Sequence, residues 1–233
     1  MPGASSTHPQ RPKDEASSKG LASILYKAAW YLWPMGRGHE AQKMAEDAKK
    51  LRVKIFGRAQ EESQYAIEML GLAHNLQGHW EAAEKLFVEV METSKQKLGP
   101  DHPDTLTSMA NLASTYRNQG RWEAAGKLEV EVMETSKQKL GPDHPSTLTS
   151  MNNLAYTLVA QGRQSVALEL MRECVRIRRD VLGARHPHYL SSLETLRAWE
   201  LEHTDTVTTA QRNPRSRARF KEKIRRITAR LKM

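Results

Sequence analysis

The chain has 233 residues, 39% of them hydrophobic and 6% aromatic, and carries a net charge of +9. So few aromatics is low for one compact core, and the single cysteine, Cys174, excludes an intramolecular disulfide framework and fits a reducing cytosol. The charge is local: Arg212 to Met233 holds ten basic residues and one acid, Glu222, so the 211 residues before it are formally neutral.

Residues 1–20 are polar and rich in Ser and Pro, a composition expected to be disordered. The apolar stretch Leu21–Met35 contains Lys27 and Pro34, is too short for a membrane span of ~20 apolar residues, and starts too late for a secretory core. It reads as the first helix of a degenerate repeat. With no upstream neighbour, Trp30 and Trp33 are expected to stay partly uncovered. Residues 1–20 shield them, or the chain is a shortened relative of a longer protein; both readings stay open.

Val88–Met109 recurs as Val130–Met151 with one change, Asp104 becoming Ser146, at an offset of 42 residues. A fixed period in the range of about 20–50 residues marks a repeat protein whose units bury their apolar faces by stacking. Leu98-Gly99-Pro100-Asp101-His102-Pro103 returns at Leu140 and, altered, at Leu182, with Phe56-Gly57 one step upstream. Gly78-His79-Trp80-Glu81-Ala82-Ala83 returns at Gly120, more weakly at Gly162, and faintly at Gly36. The array therefore runs over 21–203: a degenerate repeat 21–55, full repeats 56–97, 98–139 and 140–181, and a half repeat 182–203.

Each repeat reads as two helices. Leu106, Met109, Leu112, Ala113 and Tyr116 follow amphipathic helical spacing, and His102-Pro103 places the start at Pro103, because proline suits the first turn. Gly120 ends this helix. Trp122, Ala125, Leu128 and Val132 form one face of the second, and Lys137 and Lys139 fall in its last turn, where the helix dipole favours cations. Gly141 is expected to cap it in the left-handed conformation. Cys174 falls among the apolar positions of its helix and reads as a buried thiol.

The order Leu112-Ala113, Tyr116, Gly120, Trp122, Ala125 resembles the tetratricopeptide pattern, and the 42-residue length with its LGPDHP, NNLA and QGR wording resembles the kinesin-light-chain type of that repeat. Trp30-Tyr31-Leu32-Trp33 with Gly36 and Glu40-Ala41 is similar to the opening repeat of fungal proteins of this kind. The resemblance implies an all-α fold, a right-handed α-solenoid of antiparallel helix pairs, and a protein-binding surface without an activity or a cofactor. In fungi such arrays often form the sensor end of nucleotide-binding receptors.

Within the tail 204–233, Phe220, Ile224, Ile227 and Leu231 recur at helical spacing among Arg219, Lys221, Lys223, Arg225, Arg226 and Arg230. A basic amphipathic helix of this kind suits an anionic membrane surface, a calmodulin-like partner or nucleic acid. It equally suits a helix closing the open end of the array, or a solvated segment. Arg212–Lys223 also passes for a nuclear-import patch.

Motifs for chemistry are wanting. Gly126-Lys127 has Arg121 where a phosphate loop needs its first glycine, and the sequence has neither a G-x-S-x-G elbow nor an H-E-x-x-H helix. His102, His144 and His186 fall one per repeat. Packed helices lie ~8–10 Å apart and zinc–nitrogen bonds are ~2.0–2.1 Å, so these histidines are expected at helix starts and not around an ion. His79 reads as a surface residue.

In the family the resemblance names, first helices line the concave side, and the residue before the Leu-Ala pair, often Asn, faces a peptide. The matching positions are Asn111 and Asn153, with Met69 and Thr195 as departures. Thr107, Ser114, Arg117 and Asn118 share that face in one repeat, and Thr149, Asn152 and Tyr156 in the next, with Asn75 from the first full repeat. Glu61, Glu62 and Glu68 make the upstream end acidic, and no Lys/Arg run suits a C-terminal carboxylate. Three readings follow: a non-catalytic adaptor or sensor gripping a partner's peptide segment, a membrane- or nucleic-acid-associated protein working through its tail, and a relic of a receptor.

Overall fold

The computed structural model describes residues 15–212, with side chains for residues 15–203. Among these residues all regular structure is helical: α1 Glu15–Leu32, α2 Gly38–Phe56, α3 Glu61–Leu76, α4 Trp80–Leu98, α5 Pro103–Asn118, α6 Trp122–Leu140, α7 Pro145–Ala160, α8 Gln164–Leu182 and α9 Pro187–Arg212. From α4 onward every helix starts 42 residues after its counterpart in the preceding pair.

The chain forms two compact bodies, divided after Thr135 within α6. In the first, α1 packs on α2, α2 on α3, α3 on α4 and α4 on α5; in the second, α7 packs on α8 and α8 on α9. Each body is thus a run of stacked antiparallel helix pairs.

Two kinds of glycine turn the chain. Within a pair, Gly120 (φ +74) follows α5 as a Schellman turn: its N–H donates to Arg117 O at 3.0 Å, and Arg121 N–H donates to Tyr116 O at 2.8 Å. Between pairs the expected left-handed cap is corrected. Gly99 has φ +95 and ψ 164, extended backbone of mirror hand, and Gly57 and Gly183 follow it, while Gly141 shares the positive φ at +98. That region is reserved for glycine even more strictly than the left-handed helical one. It sends the chain straight into the next helix start instead of curling back over α4.

The helix starts use the histidines. His102 Nδ1 accepts a hydrogen bond from Asp104 N–H at 3.2 Å, His144 Nδ1 from Ser146 N–H at 3.1 Å, and His186 Nδ1 from His188 N–H at 3.2 Å. The imidazole replaces the usual Ser or Asp as N-cap, with proline next in line.

In α5, Leu106, Met109, Leu112 and Ala113 are buried; in α6, Ala125 and Val132 are. Phe87 is fully buried against Ala83 and Leu112. It lies so close to Gly71 that a Cβ there would come within 2.8 Å of its ring. Met69 and Leu70 of α3 bury against Ala29 and Ala45, with Trp33 packed at the edge, while Trp30 remains 61% exposed. Cys174 is fully buried and its thiol donates to Leu148 O at 3.3 Å; burial pushes its pKa up.

Two boundaries differ from expectation. Glu15–Gly20 are helical, and not disordered, because Glu15 opens α1 and pairs with Lys19 one turn on at 2.7 Å. At the other end α9 continues past residue 203 to Arg212. The basic tail residues Arg219, Lys221, Lys223, Arg225, Arg226 and Arg230, and the cap or membrane roles expected of them, lie outside the described residues.

Candidate functional site

The first helices of two successive repeats, α3 and α5, are tied along one edge by polar side chains. Asn118 Nδ2 donates to Asn75 Oδ1 at 3.3 Å, and Asn75 Nδ2 donates to Thr115 Oγ1 at 3.1 Å. Thr115 Oγ1 donates to Asn111 O at 2.9 Å, and Asn111 Nδ2 donates to Glu68 Oε1 at 2.6 Å. Asn111 therefore spends a donor on its neighbour and keeps its carbonyl oxygen and second N–H. Burial raises the pKa of Glu68 and the nearby Asp104 raises it further, while the Asn111 hydrogen bond pulls it back down.

The other expected residues separate into two groups. Thr107 and Thr149 are exposed, each donating to the carbonyl of the proline that opens its helix, at 2.9 Å. Ser114 and Asn153 are half-buried, and Asn118 is exposed. The remainder turn toward protein. Arg117 is half-buried and approaches the buried Glu129 of α6 at 3.5 Å. Tyr156 bonds Thr195 at 2.9 Å and stacks edge-on against Trp199, whose ring centre lies 5.1 Å away. Asn152 Oδ1 accepts from Ser192 Oγ at 3.2 Å. Met69 is 2% exposed, buried against α1 and α2, so the position before Leu70-Gly71 faces packing in that repeat.

A cavity of about 360 Å³ opens at the joint where α4 passes to α5, against α3. Sequence reasoning missed it. Its walls include Gln64, Glu68, Ser94 and Asp104, with Glu61 and Lys97 at the outer edge. Gln64 is 7% exposed; its Nε2 donates to Arg58 O at 2.8 Å, and its Oε1 has no partner among the described residues. Tyr65, also in the wall, donates to Glu61 Oε1 at 2.7 Å, and that bond, with burial and the carboxylates of Asp104, Glu61 and Glu68, drives its phenol pKa upward.

Two other joints hold a buried arginine. Arg52 of α2 is buried, donates from Nη1 to Glu62 O at 2.7 Å, and lies 4.2 Å from the centre of the Tyr26 ring. Arg178 of α8 donates to His188 O at 3.2 Å, to Leu148 O at 3.1 Å and to Ser192 Oγ. No group of His, Cys, Asp and Glu among the described residues is placed to hold a metal ion, and no described helix is long and apolar enough to cross a membrane.

A family model for the tetratricopeptide repeat matches residues 64–138 and 111–180, together half of the chain. Solved structures of similar fold include a Podospora anserina protein of nearly identical TPR-like repeats, described as a kinesin light chain. It is 23% identical, with a TM-score of 0.69 over 94% of this chain and 99% of its own. BtubC of P. vanneervenii is 16% identical, with a TM-score of 0.56 over 88% and 90%. A Rap protein complexed with competence and sporulation factor is 12% identical, with a TM-score of 0.61 over 94% and 66%. No curated protein matches the chain. Repeats of 42 residues, helix pairs turned by paired glycines, and the family match lead to one assignment: the chain belongs to the tetratricopeptide repeat family.

Proposed function

We propose that the protein is a non-catalytic adaptor or sensor that holds a peptide segment of a partner along its first-helix face. The observation that carries this reading is the α3–α5 edge, where Asn75, Asn111, Asn118 and Thr115 are held in one hydrogen-bonded row while Thr107 and Asn118 stay exposed. Side chains fixed in this way present amide groups to an extended backbone at little further entropic cost. The Rap protein of similar fold, solved complexed with competence and sporulation factor, lends the reading support by analogy of fold alone.

The test places a photo-crosslinking residue at Thr107, at Asn118 or at the exposed Lys127 of α6. Partner segments should be captured from the first two positions and not from the third. Asn111→Ala with Asn153→Ala should then abolish capture with helicity unchanged. Equal capture at Lys127, or capture surviving the double substitution, sinks the proposal.

A second reading rests on the ten basic residues from Arg212 onward, whose chemistry fits an anionic membrane surface or nucleic acid. It requires an association that weakens steeply with salt and disappears when 212–233 is removed. An association indifferent to both refutes it.

A further inference from the structure

Because the repeats keep a step of 42, each joint has counterparts in the others. Arg52, Ser94, Ser136 and Arg178 occupy one position in α2, α4, α6 and α8. The first and last joints fill that position with a buried guanidinium, and its contacts are Tyr26 and Glu62 in one case, Leu148, His188 and Ser192 in the other. Carried to the α4–α5 joint, Tyr26 corresponds to Glu68, Glu62 and His188 to Asp104, and Leu148 to Gln64. These three line the cavity, and Ser192 corresponds to Ser108, which does not.

The surroundings of an arginine are therefore present at that joint without the arginine, and they are richer in acceptors than where one sits. Gln64 offers an unpartnered, buried Oε1, and Glu68 and Asp104 add two carboxylates. The nearby cation Lys97 is already engaged, its Nζ donating to Ala59 O at 2.5 Å. A buried acceptor left unpaired is costly, and a planar guanidinium with five N–H donors matches several acceptors at once. The volume of about 360 Å³ lies in the range of about 300–1,000 Å³ typical of ligand sites.

The neighbouring copy supplies a contrast. One repeat on in the sequence, Gln64, Glu68 and Asp104 are replaced by Leu106, Ala110 and Ser146, so these side-chain acceptors are not repeated. Between Val88–Met109 and its duplicate, the one residue that differs is this Asp104, on the cavity wall.

We infer that the cavity between α3, α4 and α5 is a receptor site for one arginine side chain delivered by a bound peptide. The inference rests on the peptide-binding reading only for the source of the arginine. That source is a partner segment or the chain's own arginine-rich residues 212–233.

The experiment titrates the full chain with N-acetyl-arginine methylamide, and with its citrulline analogue as an uncharged control, following the Gln64 side-chain amide and the Asp104 backbone amide by NMR. Saturable shifts are expected for arginine alone. They should weaken at least tenfold in the pair Asp104→Ser with Glu68→Gln, and vanish in Ser94→Arg, which supplies the side chain internally. Asp104→Ser keeps the test sound should Ser94→Arg fold poorly, since serine already stands at that position in the duplicate. A second arm uses the full chain with Arg219→Glu, Arg225→Glu, Arg226→Glu and Arg230→Glu. Binding at least tenfold tighter there supports the site and names the tail as its occupant; equal binding supports it and names a partner. No saturable shift in either chain, or the same response to citrulline, overturns the inference. Crosslinking at Thr107 and Asn118 reads the peptide-binding proposal separately.

Discussion

The joint between α2 and α3 and the joint between α4 and α5 are built to the same plan, one repeat apart, and differ in what fills them. At the first, Arg52 lies over Tyr26 and bonds the opening turn of α3. At the second, Ser94 leaves a cavity, and Glu68 stands where Tyr26 stood. One packing position is shared: Ala41 of α2 and its counterpart Ala83 of α4 are both fully buried. The repeats of this chain thus carry two layers of information. The packing positions keep the fold, while the joint positions are free to close or to open.

The largest effect should come from the shared layer. Phe87→Ala empties the core between α3, α4 and α5 and should cost about 3–5 kcal/mol in urea denaturation. A loss below about 1 kcal/mol would show that the repeats are not held by this packing. Next, Arg52→Ser makes the first joint resemble the second. It removes a charged hydrogen bond and a ring contact, and should cost about 1.5–3 kcal/mol. A neutral outcome would erase the distinction between the joints.

A pH comparison sharpens the same point. The folded pKa of Glu68 is raised, chiefly by burial, with Asp104 adding to it and Asn111 opposing it. A carboxyl of this kind contributes stability that is fully present below its unfolded value, about 4.3, and is lost as pH rises through the folded one. Groups around it share the field: Tyr65 and Glu61 on α3, Asp104 and His102 at the start of α5, Lys97 on α4 and Tyr26 on α1. Glu68→Gln should therefore gain on the wild type as pH rises from about 4. A pH-independent difference contradicts that. The smallest effect belongs to Asp104→Ser, within about 0.5 kcal/mol, because the duplicate already carries Ser146 there. A larger loss would mean that Asp104 holds the fold and is not merely part of the cavity wall.

The repeat architecture was legible because its signals are local and redundant. Proline after histidine, glycine after the last apolar turn, and a 3–4 spacing of Leu, Met and Ala each place a helix end or face, and each recurs. The candidate face was legible only in part. Asn111, Asn118 and Asn75 were named from single-helix patterns, but the hydrogen bonds that join α3 and α5 through them depend on the distance between helices, which no such pattern contains. Arg117 and Tyr156 are long enough to fold back onto α6 and α9. Met69 lies under α1 and α2, neighbours supplied by a repeat too degenerate in sequence to reveal what it covers. The joint arginines escaped notice because Arg52 and Arg178 stand three repeats apart, and their meaning appears only when the contacts of each are carried over residue by residue.

The most direct test of this two-layer account is the melting temperature of Ser94→Arg, measured alone and together with Glu68→Gln. An open joint that lacks only its arginine predicts a higher melting temperature for Ser94→Arg, with the gain reduced when Glu68 loses its charge. A lower melting temperature for soluble, helical protein, or a gain indifferent to Glu68, would contradict it.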